Sequence, residues 1–397
     1  MVIEASRRVR ELGGYVFAEI DRIVSDLRRQ GVRPIDFGVG DPTAPTPGFI
    51  REAGRLAIDA RACAGYPSYV GDAGYRSACA GWFERRFGVV LDPEREVTST
   101  VGSKEAVFHF AEAFVDPGDV VIGPNPGYPP YQRGTRFAEG EYVPYRLVPG
   151  NGFLPDLDAI PEDVARRAKV LWICYPNSPT GAIAPPAALE RIVSWCRERE
   201  ILLASDEAYT EIWFTPDPPH SALEWGTRGV LAFQSLSKRS AMTGWRVGFV
   251  AGDAEAVAAF RKVKTNVDSG TPTFIQDAAA AAYADEVHVA SFREEYRTKR
   301  DIMVEGLVAA GLPECRPDGT LYIWQRVPEG LSSVDFARAL LSPEISVVVT
   351  PGAWIAVGGP GSNPGEGYVR LALVPSVEDC RAAAGRIARW RQGAARQ

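Results

Sequence analysis

In SLSKRSAMTGWRVGF, residues 235–249, a lysine closes an apolar run, and Arg246 follows it eight positions later. A lysine amine is seldom buried unless it is paired or chemically used, so Lys238 is a candidate nucleophile or base. Three other apolar runs also end in polar residues. LWICYP leads into Asn177 and Ser178, and ILLAS leads into Asp206 with Tyr209 three residues on. EVTSTV leads into Gly102, Ser103 and Lys104 at the head of EAVFHFAEAF, where the free N–H groups of a helix start suit an anion. Ligands of open α/β sheets bind beyond the carboxyl ends of the strands. The four termini therefore describe one pocket holding an amine, a carboxylate, a phenol and a phosphate cradle.

One cofactor needs all four. Pyridoxal 5'-phosphate requires a lysine to form an imine with its aldehyde and an acid to keep its ring nitrogen protonated. Lys238 would carry the aldehyde and later shuttle a proton at the substrate Cα. Asp206 would face the ring nitrogen and Tyr209 would donate to the ring oxygen. Ser235, Ser237, Arg246 and the amides of Ser103 and Lys104 would grip the phosphate, Arg246 through forked hydrogen bonds. Taken singly, each residue has an ordinary alternative: a surface lysine, a helix N-cap for Asp206, a structural ion pair for Arg246. The combination favours the cofactor. His109, on the helix after Gly102, reads as a core residue, and Lys104 as either a partner for a distal substrate carboxylate or a solvated side chain.

The elements that position these residues follow from hydropathy. From about residue 95, short apolar runs (EVTSTV, DVVIG, VLWICYP, ILLASDE, VLAFQS, GFVAG) alternate with helical stretches, the pattern of strands buried on both faces of a largely parallel sheet. Beyond about residue 285 come a long helix, then LYIWQRV, ISVVVT, EGYVRLAL and a last helix from Val377, which reads as a smaller α+β unit. Val9, Leu12, Val16, Ile20, Ile23 and Leu27 recur three or four apart and predict a helix through the first thirty residues.

The chain resembles the fold-type I aminotransferases of class I/II. The matching stretches are FGVGDPTAPTP, YPSYVGDAGYR, VGSKEA, PNPGYPPY, YPNSPTG, DEAY, SLSKRSAMTGWRVGF and EGYVRLAL, in the family's order and spanning residue 5 to about 390. YPSYVG, GSKEAVFHF, AMTGWRVGF and KTNVDSG are most similar to the branch of LL-diaminopimelate and aspartate aminotransferases. The resemblance implies a large domain (41–284) with a mostly parallel seven-stranded sheet between helices, and a small α+β domain (1–40 and 285–397). It implies that Arg370 clamps the substrate carboxylate, that the Gly40 backbone approaches the same group, and that Tyr128 stacks on the cofactor. Tyr66 would reach the phosphate of a neighbouring subunit, which implies a homodimer with shared sites. One position departs from the family. Where an asparagine usually precedes Pro-Thr-Gly and donates to the ring oxygen, Ser178 stands, with Asn177 one residue earlier; both enter the set of expected cofactor contacts.

Composition bounds the rest. The 397 residues suit two domains, and a net charge of −6 argues against nucleic acid or an anionic membrane as partner. Six cysteines without a C-x-x-C pair, and three histidines, give no zinc or disulfide pattern and fit a reducing cytoplasm. No apolar leader or spanning run is visible. The expected activity is exchange of an amino group between an L-amino acid, with a dicarboxylic or diaminopimelate-type donor favoured and glutamate as partner, and a 2-oxo acid. Two alternatives stand beside it: a lyase, cyclase or oxidase on the same scaffold, suggested by Ser178 and the unusual Arg-Ser-Ala after Lys238, and a regulator borrowing the fold. The second lacks the basic extension such regulators carry.

Overall fold

The computed structural model describes residues 3–10, 18–63, 65–359 and 361–394. Its strands are β1 (Ile35–Asp36), β2 (Val97–Thr100), β3 (Val120–Asn125), β4 (Glu141–Arg146), β5 (Ala168–Cys174), β6 (Leu202–Asp206), β7 (Val230–Ser235), β8 (Gly248–Gly252), β9 (Tyr322–Arg326), β10 (Val347–Val348), β11 (Thr350–Pro351) and β12 (Tyr368–Ala372). Seven of them form a sheet in the order β2-β8-β7-β6-β5-β3-β4, with only β8 antiparallel to its neighbours.

The uniformly apolar runs are central strands for the expected reason. Along β5, Leu171 and Ile173 enter one core with Tyr75, Trp82, Phe83 and Phe249. Val170 and Trp172 point the other way, against Phe110, Phe233 and Phe260. Alternate side chains thus serve two helix layers. Tight aromatic packing holds both faces, including Tyr131 stacked on Trp172 at 4.7 Å between centroids.

A second body holds the antiparallel sheet β11-β12-β9 and the parallel pair β1-β10. Its core gathers Phe37, Met303, Leu307, Ile323, Phe336, Leu371 and Ile387, and takes in Ile212 and Phe214 from the middle of the chain. At the N-terminus, Arg7–Arg10 and Ala18–Arg29 are helical; Leu12 and Val16, which the periodicity joined into one helix, lie outside the described residues. Ile20, Val24 and Leu27 pack on Leu341 and Val348, carrying the N-terminal helix onto the second body. Among the described residues no helix is long and apolar enough to cross a membrane.

Candidate active site

The carboxyl ends of β2, β5, β6 and β7 open on one cavity of about 710 Å³. Lys238 lies on the single-turn helix Leu236–Arg239, which starts at the end of β7; the Ser235 hydroxyl caps it by accepting from the Ser237 amide at 3.2 Å. The Lys238 ammonium donates to the Gly40 carbonyl. Burial pushes its pKa down, nearby Tyr322 and Asp41 pull it back up, and Arg370 and Arg246 add to the depression. Burial and the charges of Arg370 and Arg246 thus favour the neutral form of the amine.

Asp206 ends β6 and is almost fully buried. Tyr131 donates to its Oδ2 at 2.6 Å and the Ala208 amide to its Oδ1 at 3.2 Å. Burial raises its pKa, and those two donors oppose the rise by favouring the carboxylate. A positively charged partner in the cavity would favour ionisation further. Tyr209 places its hydroxyl 3.3 Å from that of Tyr322.

At one end of the cavity lies an anion cradle. Gly102, with φ +70°, turns the chain from β2 into the helix Ser103–Phe114; a Cβ there would strike the Arg246 guanidinium. Arg246 itself adopts a left-handed backbone (φ 56°), uncommon for a side-chain-bearing residue, and donates to the carbonyls of Thr243 (2.9 Å) and Val101 (3.3 Å). Ser103, Lys104, Ser235 and Ser237 line the same cavity. At the other end Arg370, on β12, donates from Nη2 to the Gly38 carbonyl at 3.0 Å and lies 4.5 Å over the Tyr322 ring. Its Nε is buried without a partner. A buried donor left unpaired is costly, and a carboxylate would satisfy it.

Most sequence-predicted residues converge here: Gly40, Ser103, Lys104, Tyr128, Ser178, Asp206, Tyr209, Ser235, Ser237, Lys238, Arg246 and Arg370 all line the cavity. Two expectations, for Asn177 and His109, need correction. The Asn177 amide faces its own turn, donating to Cys174 O (3.1 Å) and accepting from Thr180 N (3.2 Å) and Thr180 Oγ1 (2.7 Å), and it does not line the cavity. Tyr66 is 92% exposed and outside this chain's own cavity, as a residue expected to serve a neighbouring subunit would be. His109 is not in the core; it is half-buried and pairs with Glu112 at 3.0 Å. Sequence reasoning missed Tyr131 and Tyr322. Tyr131 lies three residues after Tyr128 on the helix Pro129–Phe137, a spacing that could have marked it; nothing local marks Tyr322.

The cavity brings together two cationic ends, a buried acid and a half-buried amine, and the chain belongs to the aminotransferase class I and II family, which it matches over residues 32–387. It is a pyridoxal 5'-phosphate-dependent aminotransferase of fold type I. An LL-diaminopimelate aminotransferase from Aquifex aeolicus is 45% identical over 97% of this chain and 99% of its own length. One from Trichormus variabilis is 46% identical over 94% of each. Among solved structures, an aspartate aminotransferase variant from Thermus thermophilus superposes with a TM-score of 0.89 at 32% identity, covering 98% of this chain and all of the other. An aminotransferase from Neisseria meningitidis gives 0.88 at 32%, covering 97% and 99%.

Proposed function

We propose that the protein transfers the amino group of LL-diaminopimelate to a 2-oxo acid, with 2-oxoglutarate and glutamate as the second pair. The carrying observation is the cavity itself: two cationic ends with a half-buried amine and a buried acid between them. The names of the relatives at 45–46% identity support the donor, and they favour transamination over the lyase, cyclase or oxidase alternative.

The residues present fit the cofactor. Gly102, the amides of Ser103 and Lys104, Ser235, Ser237 and Arg246 would hold its phosphate, Asp206 its ring nitrogen, Tyr209 and Ser178 its ring oxygen, Tyr128 its face and Lys238 its aldehyde. When bound, pyridoxal 5'-phosphate supplies a ring that accepts electron density from the substrate carbon. This chain's residues do the rest. Arg370 orients the substrate α-carboxylate through the fork whose Nε is unpaired. Lys238, its amine favoured in the neutral form, takes the proton from Cα of the amino donor and, in the reverse half-reaction, delivers one to Cα of the 2-oxo acceptor. Tyr131 favours the carboxylate form of Asp206 and fixes its direction. Lys104, in the first turn of the helix Ser103–Phe114, meets the distal end of a long dicarboxylic donor. The second body, carrying Arg370 and Tyr322, closes over the site and excludes water.

The working unit we propose is a homodimer in a reducing cytoplasm. Exposed apolar side chains concentrate between residues 39 and 69: Val39, Phe49, Leu56, Ile58, Tyr66 and Tyr69. Exposed apolar side chains of this kind are what a partner subunit would cover, and Tyr66 would then serve the partner's phosphate cradle. A half-reaction panel tests the function. Loaded enzyme mixed with LL-, meso- and DD-diaminopimelate and the twenty amino acids should give stoichiometric pyridoxamine phosphate with the LL isomer and with glutamate. Release of ammonia, oxygen uptake, or turnover of aromatic donors alone would overturn it.

A further inference from the structure

The stretch KTNVDSG, residues 264–270, takes no part in the chemistry above, yet it holds a fully buried lysine. The side chain of Lys264, on the helix Ala254–Val267, is 0% exposed. Its ammonium meets both Asp268 oxygens at 2.9 and 2.8 Å and Glu105 Oε2 at 3.3 Å. A charge so placed is costly unless compensated, and here two carboxylates surround one ammonium.

What those carboxylates touch is the phosphate cradle. Glu105 stands in the first turn of the helix Ser103–Phe114, and its Oε2 accepts from the Val101 amide at 3.1 Å, one residue before Gly102. Its Oε1 is buried without a hydrogen-bond partner. Asp268 accepts from the Gly270 amide at 2.5 Å and so fixes the turn that delivers Thr271. The Thr271 hydroxyl reaches the carbonyls of Thr100 (3.0 Å) and Arg246 (3.3 Å). Arg246 in turn donates to Val101. The triad therefore borders the 100–103 segment of the cradle directly and the Arg246 segment through Thr271.

A carboxylate in a helix's first turn draws on the same positive potential that a phosphate needs. Glu105 caps the turn well but repels a dianion. We infer that Lys264 is a positioning residue for the cofactor phosphate, offsetting the charge of Glu105 while tying the 268–271 turn to the cradle. The inference rests on the reading of Gly102, Ser103, Lys104 and Arg246 as the phosphate site. Burial raises the Glu105 pKa and Lys264 lowers it, as the competition requires.

The test measures dissociation constants of the full-length apoenzyme for pyridoxal and for pyridoxal 5'-phosphate; the ratio of the pyridoxal constant to the pyridoxal 5'-phosphate constant isolates the phosphate contribution. Lys264→Met should lower that ratio about tenfold, since two half-buried carboxylates beside the cradle then stand uncompensated. Glu105→Gln keeps the oxygen that accepts from Val101, removes the charge, and should raise the ratio about threefold. The double variant should return toward wild type. A lysine serving only to hold the fold would weaken both ligands alike and leave the ratio unmoved, and that result overturns the inference. Should Lys264→Met fail to fold, an unchanged or lowered ratio in Glu105→Gln overturns it equally. Arg246→Gln separates the two levels. If it lowers the ratio while the triad variants do not, the inference alone falls; if it leaves the ratio unchanged, the cradle reading falls and takes the inference with it.

Discussion

Ser178 lines the cavity at the position from which the cofactor's ring oxygen would be held. A hydroxyl is shorter than a carboxamide and gives the ring oxygen less donation. The nitrogen beside that oxygen then keeps its proton to higher pH. Ser178→Asn should therefore lower the pH midpoint of the visible absorbance change in the loaded enzyme, measured by spectral titration; no shift, or a rise, counts against this role. The residues legible in sequence are those whose chemistry is read one strand end at a time, such as Lys238, Asp206 and Arg246. Asn177 misled because an amide type says nothing about direction, and its side chain is spent on its own turn instead of the cavity. Tyr322 was invisible because its relation to Tyr209, 113 residues away, exists only once the second body is folded against the first.

At the level of elements, the end of β6 carries a second buried acid. Glu207 accepts from Ser205 Oγ (3.0 Å), Ser221 Oγ (3.0 Å), the Ala222 amide (2.9 Å) and Gln234 Nε2 (2.9 Å), strapping β6 to β7 and to the 221–222 turn. Burial outweighs these donors and pushes its pKa up to about 7, from 4.5 for the free group. Between those values the folded state binds more protons than the unfolded chain, so this group's contribution to stability falls as pH rises from about 4.5 to about 7, by on the order of 3 kcal/mol. Denaturant unfolding at several pH values in that window should show the slope, and Glu207→Gln should flatten it. The strands that escaped sequence reading share a cause. β4 is a half-exposed edge strand interrupted by Pro144, so it shows neither a buried run nor a clean alternation. ISVVVT reads as one strand but splits into β10 and β11, because the chain leaves its pairing with β1 to join β12.

On the scale of the whole molecule, the account predicts that active sites are shared. Lys238→Ala and Tyr66→Ala homodimers should both be impaired, the first severely. Mixed dimers of the two contain one site with both residues intact, so co-refolded chains should recover activity that neither parent has; no recovery would show that Tyr66 serves no partner. The most direct check of the central claim is borohydride reduction of the cofactor-loaded enzyme followed by peptide mapping. The account predicts one stable phosphopyridoxyl group, on Lys238. A label on any other lysine, or protein that remains colourless and unlabelled, would contradict it.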